Sequence, residues 1–141
     1  MILVCDDDAD VKKHVKRVIA RLSPKEEVIT VNSCGELIDL LVIKEDEGVY
    51  PDLIMIDLIM PRLTGIECIE MLKFRFPLIP SVAMSAISDE NIIAEIYAAG
   101  FNGFLHKGFF NKDNFEIQIE SAIHLWINNP KPNWITYNKS R

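Results

Sequence analysis

The sequence predicts a doubly wound α/β sandwich, a five-stranded parallel sheet flanked by five helices. Three observations carry that expectation. Short apolar runs recur without the in-and-out alternation of a half-solvated strand, so they suit strands covered on both faces. Stretches of helical period separate them. The connections are too short for anything but right-handed crossovers.

Taken in order, Ile2 to Cys5 is a continuous apolar run and the first predicted strand. Val11, Val15, Val18, Ile19 and Leu22 follow a helical repeat that Ser23-Pro24 stops. Val28 to Val31 is the second strand, and a second helix is expected from about Glu36 to Glu45. Leu53 to Ile56 forms the third strand. The third helix runs from about Gly65 to Arg75, behind a Thr64-x-x-Glu67 capping box. Val82-Ala83-Met84 and Phe104-Leu105 supply the last two strands. The fourth helix covers Asp89 to Ala99 and stops at Gly100; the fifth spans about Asp113 to Asn128. After residue 129 the composition shifts to an irregular stretch. Residues 1–129 are therefore read as one domain and 130–141 as a tail or a truncated linker.

Composition sets limits on function. The 141 residues are 49% hydrophobic, enough to fill one core, and the net charge is −6. A duplex-DNA binder needs a basic face, so direct nucleic-acid recognition is not expected. No apolar run approaches the ~20 residues needed to span a bilayer, and no basic leader precedes Ile2-Leu3-Val4, so the expected location is cytoplasmic. Cys5, Cys34 and Cys68 form no C-x-x-C pair and are expected to be reduced, mostly buried thiols.

Open α/β sheets bind ligands beyond the carboxyl ends of their strands. The first predicted strand ends in Asp6-Asp7, the third in Asp57, the fourth in Ser85 and the fifth at Lys107. Three clustered carboxylates repel one another and call for a cation. All-oxygen ligation suits Mg²⁺, which keeps several waters and accepts phosphate oxygens. A carboxylate beside such an ion and a lysine can attack phosphorus, so the rim reads as an aspartyl-phosphate site. Asp8 and Asp10 are read instead as the N-cap and first turn of the first helix. His14, His106 and His124 show no ligand spacing and are expected at the surface. Trp126 and Trp134 fit core anchors or a partner patch equally.

These residues resemble the receiver domains of two-component response regulators. The likeness runs from Ile2-Leu3-Val4-Cys5-Asp6-Asp7-Asp8 through Asp57-Leu58-Ile59-Met60-Pro61-x-x-x-Gly65 and Met84-Ser85-Ala86 to Phe104-Leu105-His106-Lys107. It implies a flavodoxin-like strand order, 2-1-3-4-5. It also implies that Asp57 accepts a phosphoryl group from a histidine kinase or histidine phosphotransfer protein. Asp7, Asp57 and the Ile59 backbone carbonyl would hold Mg²⁺, with Mn²⁺ able to substitute, while Asp6 acts largely through water. Ser85 and Lys107 would close on the phosphoryl oxygens. Ser85 and Phe104 would carry the switch to an output partner at the fourth helix, fifth strand and fifth helix. No turnover of a free substrate is expected.

The sequence departs from the family pattern at three places. Gly108 follows Lys107 where proline is usual, so a trans bond is expected, since a cis non-proline bond costs about 2.5–4 kcal/mol. Asp7 and Asp57 lie further apart than in a compact receiver, and the surplus is assigned to an acidic loop around Lys44 to Tyr50. Ile59 and Ile87 cannot orient an attacking water, which implies slow loss of the phosphoryl group. The competing readings are a receiver that signals without phosphate and an aspartyl-phosphate phosphohydrolase. The latter normally carries a second aspartate where Ile59 stands. A flavin site on the same fold is disfavoured by aspartates at the end of the first strand.

Overall fold

The computed structural model describes residues 1–86, 89–107 and 112–127. Five parallel strands, β1 (Ile2–Cys5), β2 (Val28–Val31), β3 (Leu53–Asp57), β4 (Ser81–Ser85) and β5 (Gly103–His106), stand in the order β2-β1-β3-β4-β5. Between and after them run α1 (Ala9–Leu22), α2 (Cys34–Asp46), α3 (Gly65–Arg75), α4 (Glu90–Ala99) and α5 (Lys112–Ala122). The predicted doubly wound architecture and its strand order are both present. Ile87, the Lys107–Gly108 bond, the Trp126 side chain, Trp134 and the whole 130–141 stretch lie outside the described residues.

The apolar runs divide between two faces because successive strand residues point to opposite sides. Leu3, Cys5, Ile54, Ile56 and Ala83 pack beneath α2 and α3 with Leu37, Leu41, Ile69 and Leu72. Ile2, Val4, Leu53, Met55, Val82 and Met84 pack beneath α1 and α5 with Val15, Ile19, Phe115 and Ile119. β1, β3 and β4 are buried along their whole length, as interior strands of a covered parallel sheet must be.

The caps fix where the helices begin. Asp8 caps α1, accepting from the backbone N–H groups of Asp10 and Val11. Thr64 and Glu67 close the capping box of α3, and Gly100 ends α4 at φ 118°. α2 starts two residues earlier than expected because Ser33 caps it, accepting from the Glu36 N–H, while Glu36 returns a bond to the Asn32 N–H. Ser33-x-x-Glu36 is a local helix-start pattern of the capping-box kind. The surplus assigned to a loop at 44–50 lies partly in helix. α2 runs to Asp46, and the N–H groups of Glu47, Gly48 and Val49 close onto its last carbonyls, with Gly48 at φ 75°. The fifth helix is shorter than expected as a regular α-helix, since residues 123–127 form a π-helical turn.

The cysteine expectation is corrected. Cys34 and Cys68 form a disulfide across α2 and α3, with their Cα atoms 5.7 Å apart, and Cys5 alone is a free, buried thiol. The two are 34 residues apart in sequence, and only the packing of α2 against α3 brings them together. Two histidines also depart from surface placement. His14 is half-buried and stacks on Phe115, and His106 is half-buried at the edge of β5, whereas His124 is exposed. Among the described residues, no helix is long and apolar enough to cross a membrane.

Candidate functional site

The site is built where β1, β3, β4 and β5 end. Asp6 follows β1 directly, and its N–H donates to the Val31 carbonyl at 3.1 Å, continuing the ladder by one residue. Its side chain is fully buried, and one carboxylate oxygen accepts from the Asp8 N–H at 2.9 Å. Asp7, next along, is exposed. Asp57 is the last residue of β3 and is buried. Parallel register sets Met84 beside Asp57 and His106 beside Ser85, so Ser85 stands one step further along the rim, also buried.

Lys107 joins these ends. Its N–H donates to the Ser85 carbonyl at 2.8 Å, which holds the residue at the rim. Its Nζ lies 2.8 Å from Asp6 Oδ2 and 3.0 Å from Asp57 Oδ1, so one ammonium bridges two buried carboxylates. Asp6, Asp7 and Asp57 each offer a carboxylate oxygen within 4.8 Å of the others. The donor set is hard, anionic and only partly neutralised, which fits a divalent cation of the Mg²⁺ type and does not fit a soft metal.

Electrostatics separates the roles. Burial first, and Asp6 second, push the Asp57 carboxyl from 3.8 up to about 6, while Lys107 and a backbone hydrogen bond from Ile59 pull it down. Asp57 is therefore ionised at neutral pH but held at a cost. Burial would lower the pKa of Lys107, yet its bonds to Asp6 and Asp57 outweigh that and the pKa is raised. Burial, with Asp6 and Asp57 adding, pushes the Cys5 thiol up to about 12. Cys5 is thus an unreactive thiol, set 3.6 Å from the Met60 sulfur.

The surrounding chain supports the rim at short range. The Gly65 N–H donates to the Leu58 carbonyl at 2.9 Å, so α3 starts directly on the backbone that follows Asp57. Between them, Arg62 sits at φ 71° inside a turn closed by the Leu63 N–H on the Pro61 carbonyl. Ile59 is 64% exposed and gives the mouth of an otherwise charged site an apolar lip.

Phe104 lies on β5, partly buried against the α3 side of the core, with its ring centroid 6.4 Å from that of His106 and the two rings set edge to face. His106 bonds through Nε2 to the Ala86 carbonyl at 3.0 Å, and since a carbonyl only accepts, this nitrogen carries the proton. The His106 backbone is in turn held by Gln118 of α5. His106 thus ties the segment after Ser85 to the edge strand and to α5. Sequence reasoning missed it because one histidine without a spacing partner carries no signal.

A doubly wound sheet whose carboxyl-end rim gathers three aspartates and a bridging lysine defines an α/β domain with an aspartate-centred acidic site. Residues 2–120 match the family model described as the response regulator receiver domain, and the chain belongs to that family, within two-component signal transduction. It is similar to the transcriptional regulatory protein DegU of Brevibacillus brevis, 31% identical over 75% of this chain and 43% of that protein. It is also similar to a protein-glutamate methylesterase/protein-glutamine glutaminase of Pyrococcus horikoshii, 33% identical over 84% of this chain and 30% of that one. The chain thus spans less than half the length of these curated relatives. Among solved structures it resembles response regulator RPA3017, of red light signaling in R. palustris, at 26% identity and TM-score 0.80, over 94% of this chain and 97% of that one. The phosphorylated cyanobacterial phytochrome response regulator RcpA shares the fold at 23% identity and TM-score 0.82, with the same coverage. Receiver domains are generally non-enzymatic signalling modules that histidine kinases phosphorylate.

Proposed function

We propose that this chain is a phosphorelay receiver whose Asp57 takes a phosphoryl group from the phosphohistidine of a histidine kinase or histidine phosphotransfer protein. The observation that carries the reading is the single ammonium of Lys107 set between buried Asp6 and Asp57, with Asp7 alongside. In the transfer, an Asp57 carboxylate oxygen attacks phosphorus, the phosphorus–nitrogen bond breaks, and the imidazole leaves. Because Asp57 is ionised at neutral pH, the nucleophile is present without a separate base. Asp7, Asp57 and the Ile59 carbonyl would hold Mg²⁺, with Asp6 reaching it through water. An ion held there would supply positive charge to the oxygens of the transferred group. Lys107, 3.0 Å from one Asp57 oxygen, would pair with the phosphoryl oxygens formed there.

The switch in this reading starts at Ser85, drawn toward the phosphoryl group. The Ala86 carbonyl bonded to His106, and the Phe104 ring against His106, support transmission toward β5 and α5. The output surface is then α4, β5 and α5, read by a partner protein in the cytoplasm, with no direct contact to nucleic acid or membrane. The test is incubation of the full chain with phosphoramidate and Mg²⁺, followed by intact mass. A gain of one phosphoryl group, absent in Asp57→Asn and in chelator, is expected. Labelling that survives Asp57→Asn would sink the assignment. No labelling would favour a phosphate-independent binding module, and multiple turnover of small phosphoesters a phosphohydrolase.

A further inference from the structure

The disulfide joins two turns that hold up the acidic rim without belonging to it. Cys34 is the first residue of α2 and Cys68 lies in the first turn of α3. Three residues before Cys34, the Val31 carbonyl accepts the Asp6 N–H at 3.1 Å. Three residues before Cys68, the Gly65 N–H donates to the Leu58 carbonyl at 2.9 Å. The bond therefore spans from a backbone support of Asp6 to a backbone support of Leu58, the residue that follows Asp57. At the far ends of the same helices the cross-link is an exposed ion pair, Arg75 with Glu45 at 2.7 Å.

We propose that Cys34 and Cys68 are a reversible dithiol–disulfide couple, oxidised by a small-molecule disulfide of the glutathione type, whose bond stiffens the first turns of α2 and α3 behind Asp6 and Asp57. The positions of the two cysteines support reversibility. Both stand in the first turn of their helices, Cys34 at the first residue of α2 and Cys68 at the fourth of α3, so the bond can be reached by opening one helical turn without unfolding the sheet. Both sulfurs lie in the apolar cluster with Leu37, Met60 and Ile69, where reduced cysteines pack as small apolar residues, so the fold does not require the bond. Where thiol reductants are abundant, a disulfide of this kind is usually transient and sensing.

Oxidation proceeds in two exchanges. Cys34 loses its proton to solvent as its turn opens, and the thiolate attacks one sulfur of the small disulfide; that sulfur–sulfur bond breaks and releases one small thiolate, leaving a mixed disulfide on Cys34. Cys68 then loses its proton to solvent and attacks the Cys34 sulfur; the protein bond forms and the second small thiolate leaves. Two electrons pass from the protein to the small disulfide, and reduction retraces the steps. Because both sulfurs are buried, exchange waits on opening of the first turn of α2. Cys5, fully buried on the interior strand β1, stays out of the exchange.

The couple stands or falls independently of phosphorylation. The full chain is equilibrated in glutathione buffers from reducing to oxidising, quenched in acid, unfolded, alkylated with N-ethylmaleimide and weighed. All three cysteines should be alkylated at the reducing end and Cys5 alone at the oxidising end, reversibly, with Cys34 and Cys68 in one cross-linked peptide. Cys68→Ser should trap a glutathione adduct on Cys34. Full alkylation at every poise, Cys5-only alkylation at every poise, a bond involving Cys5, or no adduct in Cys68→Ser overturns the couple. Hydrogen exchange on the wild-type chain in its two states tests the stiffening. The Asp6 and Gly65 amides should exchange about tenfold or more faster after reduction, with Met84 and Leu105 unchanged. Equal rates in the two states, or a uniform change across the sheet, overturns it.

Discussion

Replacing Gly65 with alanine should destabilise the chain and disturb Asp57 together, against the usual benefit of removing a glycine from a helix. A Cβ built there would lie 2.5 Å from the Asp57 carbonyl oxygen, 2.7 Å from the Leu58 Cα and 3.1 Å from the Asp57 carbonyl carbon, well inside the 3.4 Å at which ordinary contact begins. All three obstructing atoms are backbone, so no side chain can swing aside. Either α3 lifts from the end of β3 or the Asp57 peptide moves. Overpacking of this kind costs about 1–3 kcal/mol. Helix propensity returns at most about 1 kcal/mol, and less at a first helical residue. The net loss is about 1–2 kcal/mol, or a fall of about 3–8 °C in Tm for a chain of this size. Thermal and urea unfolding of Gly65→Ala beside the parent read this directly, and phosphoramidate labelling reads the displacement of Asp57 as a slower rate. A variant that melts at or above the parent would refute the reasoning, because propensity alone predicts that sign.

Other perturbations test other parts of the rim. With the Asp57 carboxyl raised from 3.8 to about 6, the native chain binds that proton more readily than the unfolded chain. In metal-free buffer its contribution to stability is therefore fullest below about 4, declines as pH rises to about 6, and is flat above. Carboxyl carbon NMR should give a midpoint near 6, lowered by Asp6→Asn and raised by Lys107→Met; a native midpoint near 4 would contradict the assignment. Arg62→Gly should relieve the positive φ and add about 1 kcal/mol in urea unfolding, and an unchanged or lower midpoint would show that the turn is not strained. Ile59→Asn, by giving a water a polar partner at the lip, should shorten the phosphoryl lifetime about tenfold or more. A decay that is already rapid and that this change leaves unaltered would end the argument for slow loss.

Much of this could be read from the chain. The strand ends were legible because buried parallel strands are written as unbroken apolar runs, and Asp6, Asp57, Ser85 and Lys107 stand where those runs stop. The Thr64–Glu67 box and the Gly100 stop were legible because caps are local. What escaped depends on contacts across the fold. Cys34 and Cys68 meet only when α2 packs on α3, and His106 finds the Ala86 carbonyl only through the register of β4 and β5. The role of Gly65 was visible as a motif position but had no cause until its approach to the Asp57 backbone could be measured.

The opposite edge of the sheet is organised differently. There the Lys73 ammonium, partly withdrawn from water, donates to the Ile79 carbonyl at 2.8 Å and reaches Asn102 Oδ1 at 3.3 Å, while Asn102 also accepts from the Ser81 N–H at 2.9 Å. The Met1 ammonium pairs with Glu26 and Asp52. On this floor each cation is matched or outnumbered by groups that suit it at rest. On the roof one lysine is shared between two buried acids with a third beside it. The molecule is therefore electrically settled at its base and unfinished at its top, so a cation or phosphoryl group arriving at the rim would change the charge balance where it is least satisfied.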